Sequence, residues 1–182
     1  NLRSDVVLDT LIDVLASSIG SLNNATKIAK TFESNGIKTS DKTVNSYIEY
    51  LEDAFLIRKS RRYDIKGRKY INSPFKFYFS DVGLRNARLN FRQQEPTHIM
   101  ENIIYNELIY RGFNVDVGIV DYYPKESDGK QHRKTAEVDF VCNKGSKRYY
   151  IQSAYSIPTV EKMRQEETSL DKIGDSFKKI IV

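Results

Sequence analysis

The residues best suited to chemistry lie between Ala136 and Tyr155, in the stretch AEVDFVCNKGSKRYYIQSAY. Val138, Phe140 and Cys142 alternate with Glu137 and Asp139, the period-two pattern of a half-buried strand. Asn143 to Ser146 is a turn cluster, and Lys147 to Gln152 is the predicted return strand. Asp139 stands late on the first strand, and a polar residue of its hairpin partner, Gln152, is expected to face it. A carboxylate so placed is suited to holding a divalent cation through its oxygens. Further charged ligands on the return strand would strengthen that hold. The sequence there is Ile151-Gln152-Ser153-Ala154. Glu101 is a further candidate, on the edge of a predicted helix from Thr97 to Arg111 whose core face is Met100, Ile103, Ile104 and Leu108. From that edge its carboxylate could reach a neighbouring sheet.

The remaining elements must position these groups. A strand is predicted at Phe113 to Ile119, with Phe113, Val115, Val117 and Ile119 inward. A polar stretch, Tyr122 to Lys134, turns at Ser127-Asp128-Gly129. A helix from Thr159 to Leu170 and a strand from Phe177 to Val182 complete an α/β layer with a mixed sheet.

The first half is helical. Val6, Leu8, Leu11, Ile12, Leu15 and Ile19 form an apolar stripe over Asp5–Ile19. A second helix fits Asn24–Glu33, with Ala25, Ile28, Ala29 and Phe32 on one face. A third fits Asp41–Ala54, capped by Thr39-Ser40-Asp41, with Val44, Ile48, Leu51 and Phe55 inward. Three short helices followed by a hairpin predict a winged helix-turn-helix over residues 1–94. The Pro96 break then separates this unit from an α/β domain over residues 95–182.

The wing carries Arg58, Lys59, Arg61, Arg62, Lys66, Arg68 and Lys69 against Asp64. Such a cluster is what phosphate contacts require, since neutralised phosphates release counterions. The third helix exposes Asn45, Ser46, Glu49, Glu52 and Asp53, a poor set for reading base edges. Non-specific DNA binding through the wing is therefore expected ahead of sequence reading. A basic hairpin docking on an acidic protein surface is the competing use.

The ordered set Glu101-x2-Ile104-x3-Leu108-x3-Gly112-Phe113, Glu137-Val138-Asp139-Phe140-Val141 and Tyr150-Ile151-Gln152-Ser153-Ala154 resembles the PD-(D/E)xK nuclease superfamily. That resemblance implies a restriction-endonuclease-like fold, with hydrolysis of a phosphodiester by a metal-activated water. Residue by residue, it implies Glu101 and Asp139 as Mg2+ ligands, Gln152 in place of the acidic ligand and Ala154 in place of the lysine. The site would be vestigial. Lys162 on the following helix would substitute only if it points back to the site. The alternative uses are structural: Glu101 in an ion pair with an Arg, Asp139 paired with Lys147 across the hairpin, Gln152 satisfying a backbone group.

Asp81-Val82-Gly83-Leu84, Glu101 to Leu108 and Tyr150 to Tyr155 are also similar to the C-terminal half of prokaryotic AAA-type ATPases, a region known as DUF4143. The resemblance runs from Thr26 to Val182 and implies an N-terminal P-loop ATPase domain as partner. This chain has no G-x4-G-K followed by Ser or Thr, so ATP would enter only through that other domain. The expected function is a non-catalytic module binding DNA or a protein. The alternatives are a metal-dependent DNA nuclease with an altered site and a regulatory protein-binding domain.

Net charge of +5 agrees with an acidic partner, and no apolar run reaches the ~20 residues of a membrane span. The single cysteine, Cys142, sits in an apolar strand, so an intrachain disulfide is excluded and a buried thiol is expected. The cytoplasm is the expected compartment. His98 and His132 are too few and too scattered for a zinc site.

Overall fold

A computed structural model describes residues 2–124 and 131–182. The turn predicted at Ser127–Gly129 lies outside the described residues. Helix α1 is Leu2–Ser17, α2 Ala25–Ser34 and α3 Asp41–Asp53; strands β1 and β2 are Ile57–Asp64 and Lys69–Phe79. Helices α4 (Val82–Arg88) and α5 (Pro96–Tyr110) follow, then β3 (Asn114–Tyr122), β4 (Lys134–Lys144), β5 (Lys147–Gln152), α6 (Val160–Asp171) and β6 (Lys178–Ile181). The protein is α+β, with one mixed sheet in the order β2-β1-β3-β4-β5-β6. The chain divides into two compact units. They are Asn1–Ser60 with Ser73–Ile103, and Arg61–Asn72 with Ile104–Val182. The division thus falls within α5, not at the predicted boundary of 94/95, and the hairpin tip joins the second unit.

In the first unit, capping fixes where the helices begin. Asn24 accepts from Lys27 N at 2.7 Å and Ser40 from Thr43 N at 3.1 Å, each supplying an acceptor for an orphan amide. Leu11, Leu15, Ile19, Ile28, Phe32, Val44, Ile48 and Leu51 then share one core with Ile57, Phe77 and Phe79. Two predicted core positions are corrected. Val6 is 52% exposed, and Val7 takes the buried place. Phe55 is 72% exposed because it does not continue α3: at φ 56 it ends the helix, its N–H reaching Glu52 O while Leu56 N reaches Leu51 O. That pair of bonds is a Schellman end, a place usually held by glycine.

In the second unit β3 pairs parallel with β1 and antiparallel with β4, β4 antiparallel with β5, and β5 parallel with β6. An interior strand covered on both faces loses its alternation. Val115 to Val120 are accordingly all buried, Asp116 included, whereas only alternate residues were expected inward. Phe113 precedes the strand and is half-buried. Gly118 follows a register shift at Asp116, and a Cβ there would meet Val141 Cγ2 at 2.8 Å and Val138 Cβ at 2.9 Å. The core is Ile65, Val120, Val138, Val141, Tyr150, Leu170 and Ile173.

Candidate functional sites

Glu101 belongs to the first unit and is buried. Its Oε1 accepts from Tyr78 OH at 2.6 Å and from Lys76 Nζ at 3.0 Å. Lys76 interrupts the aromatic run Phe75 to Phe79 and is buried too. An ammonium in a low-dielectric interior persists only beside an opposite charge. Glu101 is that charge, so its ion pair is with a lysine and not with the expected arginine. Beside it, Asn102 Oδ1 accepts from Phe79 N at 2.9 Å and Asn102 Nδ2 donates to Phe79 O at 2.8 Å, completing a strand edge with a side-chain amide. The buried face of α5 is therefore Glu101, Asn102, Tyr105 and Leu108. Ile103 is 53% exposed, and Met100 and Ile104 are only half-buried, contrary to the predicted apolar face.

Asp139 belongs to the second unit. Its Oδ2 accepts from Ser153 N at 2.8 Å and Ser153 Oγ at 2.9 Å. Asp139 thus pins the end of β5; it is Lys144, not Asp139, that stands opposite Lys147 across the hairpin. Gln152 lies where the sequence placed it. Its Oε1 accepts from Asp139 N and Ser169 Oγ at 3.4 and 3.3 Å, and its Nε2 donates to Glu166 Oε2 at 3.4 Å. Glu166 in turn pairs with Lys162 at 2.5 Å, so Lys162 does reach the neighbourhood of Gln152, through Glu166.

A cation at either carboxylate would compete with the contacts already made. A cation on Glu101 Oε1 would sit beside the Lys76 ammonium, and one on Asp139 Oδ2 would displace two Ser153 donors. Among the described residues no group of three His, Cys, Asp or Glu side chains is placed to hold a metal. Burial pushes the Cys142 thiol up to about 12, aided by the Asp116 carboxylate, so the sulfur stays protonated and non-nucleophilic at neutral pH. His98 is tied to Glu95 at 3.0 Å and His132 is exposed.

The hairpin cations divide by use. Lys59 is spent, paired with Glu52 of α3 at 3.0 Å and lying over the Phe75 ring. Arg62 is half-buried, with its Nε enclosed. Arg58, Arg61, Lys66, Arg68 and Lys69 are exposed, and Asp64 is occupied in closing the turn, accepting from Gly67 N at 2.9 Å. Sequence reasoning missed a second group around this hairpin. The Arg61 guanidinium lies 3.9 Å from the Tyr70 ring centre, and Tyr70 OH donates to the buried Asp116 at 3.0 Å. Burial raises Asp116 above the ordinary carboxylate range, while the Tyr70 hydrogen bond and Arg61 oppose the shift. The odd polar residue within the apolar run Val115–Val120 was the available signal.

Fold and site define an α+β protein with a basic hairpin and carboxylates committed to internal bonds. Residues 2–95 match the family described as a domain of unknown function, DUF8612. The chain belongs to the DUF8612 family. It is 34% identical to an uncharacterised protein of Haemophilus influenzae over 97% of this chain and 40% of that relative. It is 30% identical to an uncharacterised protein of Methanocaldococcus jannaschii, over 88% of this chain and 32% of the relative. A Rickettsia prowazekii protein, also uncharacterised, is 35% identical over 56% of this chain. The chain thus spans 40% or less of the length of these relatives. No solved structure matches it. Among the described residues no helix is long and apolar enough to cross a membrane.

Proposed function

We propose that this chain is a non-catalytic, DNA-binding module of an AAA-type ATPase, engaging duplex phosphates through the β1–β2 hairpin. In this reading α1–α3 and the hairpin are a winged helix-turn-helix. The β3–β6 layer is a PD-(D/E)xK-like fold whose carboxylates have become structural. The observation that carries the reading is the exposure of Arg58, Arg61, Lys66, Arg68 and Lys69 on one hairpin. The acidic, exposed side of α3, with Glu49 and Asp53, supports phosphate contact over base reading. The ATPase part of the reading rests on the DUF4143 resemblance, and the greater length of the relatives leaves room for such a domain.

Fluorescence anisotropy with a labelled random duplex tests it, using the parent and an Arg58→Ala/Arg61→Ala/Arg68→Ala variant. Affinity should be micromolar and fall steeply between about 50 and 200 mM salt. The log–log slope should drop by about 0.9 for each phosphate contact removed. Absence of binding at low salt would end the DNA reading. Plasmid incubated with Mg2+ or Mn2+ should stay intact.

A further inference from the structure

The second unit contains a cleft of about 590 Å3 that shares only Lys66 and Arg68 with the cations of the duplex reading. The hairpin tip contributes Tyr63, Lys66 and Arg68, the β4–β5 turn and start of β5 contribute Lys147 and Arg148, and the segment after α6 contributes Phe177. Arg148 is fixed in place: its Nε donates to Asn143 Oδ1 at 2.8 Å, and its guanidinium lies 5.6 Å from the Tyr63 ring centre and 5.3 Å from that of Phe177. Lys66 Nζ donates to the Asp121 carbonyl at 2.8 Å, which holds its charge in position. Asp175 also lines the cleft, and its Oδ2 accepts the Tyr150 hydroxyl at 2.5 Å.

Four cations against one engaged carboxylate select an anion. Aromatic rings beside them select a ligand that also carries flat apolar faces. A volume of this size accepts small ligands of nucleotide dimensions. A duplex keeps its base faces inside the stack, so it can offer phosphates here but not bases. An acidic peptide answers the cations and leaves the rings without a partner. An unpaired strand answers both, by phosphates on the cations and base stacking on aromatic or guanidinium surfaces.

We propose that this cleft binds a short stretch of single-stranded nucleic acid, with phosphates at Lys66, Arg68 and Lys147 and a base stacked against the Arg148–Phe177 surface. The proposal rests on the nucleic-acid reading above but uses residues outside the triple-arginine test, apart from Arg68. The two can therefore fail separately.

The experiment uses the full chain, a labelled oligo-dT of about 12 nucleotides, within the span of known single-strand sites, and a duplex of equal length. Phe177→Leu should weaken strand binding by roughly 5- to 100-fold, the range expected for losing one stacking contact. Duplex affinity should stay within about twofold, since that contact is to a base. Phe177→Tyr keeps the ring and should restore strand binding, which separates stacking from misfolding. Lys147→Ala should lower the strand's salt slope by about 0.7. Strand binding that survives an Arg58→Ala/Arg61→Ala change abolishing duplex binding would support the cleft while removing the wing. Unchanged strand affinity in both Phe177→Leu and Lys147→Ala would overturn the proposal. So would displacement of the strand at equal concentration by AMP alone, or by polyglutamate.

Discussion

Removing Glu101 tests whether its carboxylate is structural. The Lys76 and Glu101 side chains are 4% and 7% exposed, and their charges lie 3.0 Å apart. Glu101→Ala removes the carboxylate 3.0 Å from a buried ammonium, and breaking a buried pair in this way costs about 3–5 kcal/mol. It also removes the Tyr78 hydroxyl's hydrogen bond to Glu101, worth about 1 kcal/mol. The two losses share one oxygen, so they do not simply add. At this chain length each kcal/mol moves Tm by about 2–4 °C. A fall of roughly 6–20 °C in a thermal melt followed by circular dichroism is expected from the ion pair alone. Gly20 limits the space for repair by a bulkier group, since a Cβ there would lie 3.0 Å from Glu101 Oε2. Lys76→Met combined with Glu101→Leu removes both charges and should recover most of the loss, as apolar replacement of buried pairs commonly does. A Glu101→Ala loss below about 1 kcal/mol would refute the structural assignment, being the size of an exposed pair. So would a Tm that Mg2+ raises in the parent but not in Glu101→Gln, because a ligand that binds the native state stabilises it.

Two further predictions concern Asp116 and Phe55. Burial raises the folded-state pKa of Asp116 above its unfolded value, so the native chain holds its proton more tightly. The stability this contributes is present at low pH and lost as pH rises through the folded value. Asp116→Asn cannot deprotonate, and its stability relative to the parent should therefore grow from acid to neutral pH in urea titrations; a pH-independent difference would refute this. Phe55→Gly should raise stability by about 1 kcal/mol in the same titrations, because a 72% exposed ring gives little burial in return for its left-handed backbone, and destabilisation would show that the ring is holding something.

The parts of the fold legible in the sequence are those with one wet face and one dry face. Helices α2 and α3 begin within a residue of their expected starts because Asn24 and Ser40 announce them chemically, and the β4–β5 hairpin turns within its Asn143–Ser146 cluster, although Val138 to Cys142 are all buried where alternation was expected. Periodicity fails where both faces are covered. There a polar residue is stationed inside, and its partner is remote in sequence: Lys76 and Glu101 are 25 apart, Asn102 and Phe79 23, Ser153 and Asp139 14. A pattern of hydrophobicity assigns such residues to solvent, since it has no term for a neighbour brought in by folding. The trace they leave is chemical. Lys76 is a lone cation in the run Phe-Lys-Phe-Tyr-Phe, and Glu101 is an acid between Met100 and the isoleucines of α5. Each is more costly to bury alone than beside the other. Two such misplaced charges of opposite sign are therefore a contact prediction in themselves. For Glu101 that argument points to an ion pair, where motif matching had pointed to a metal.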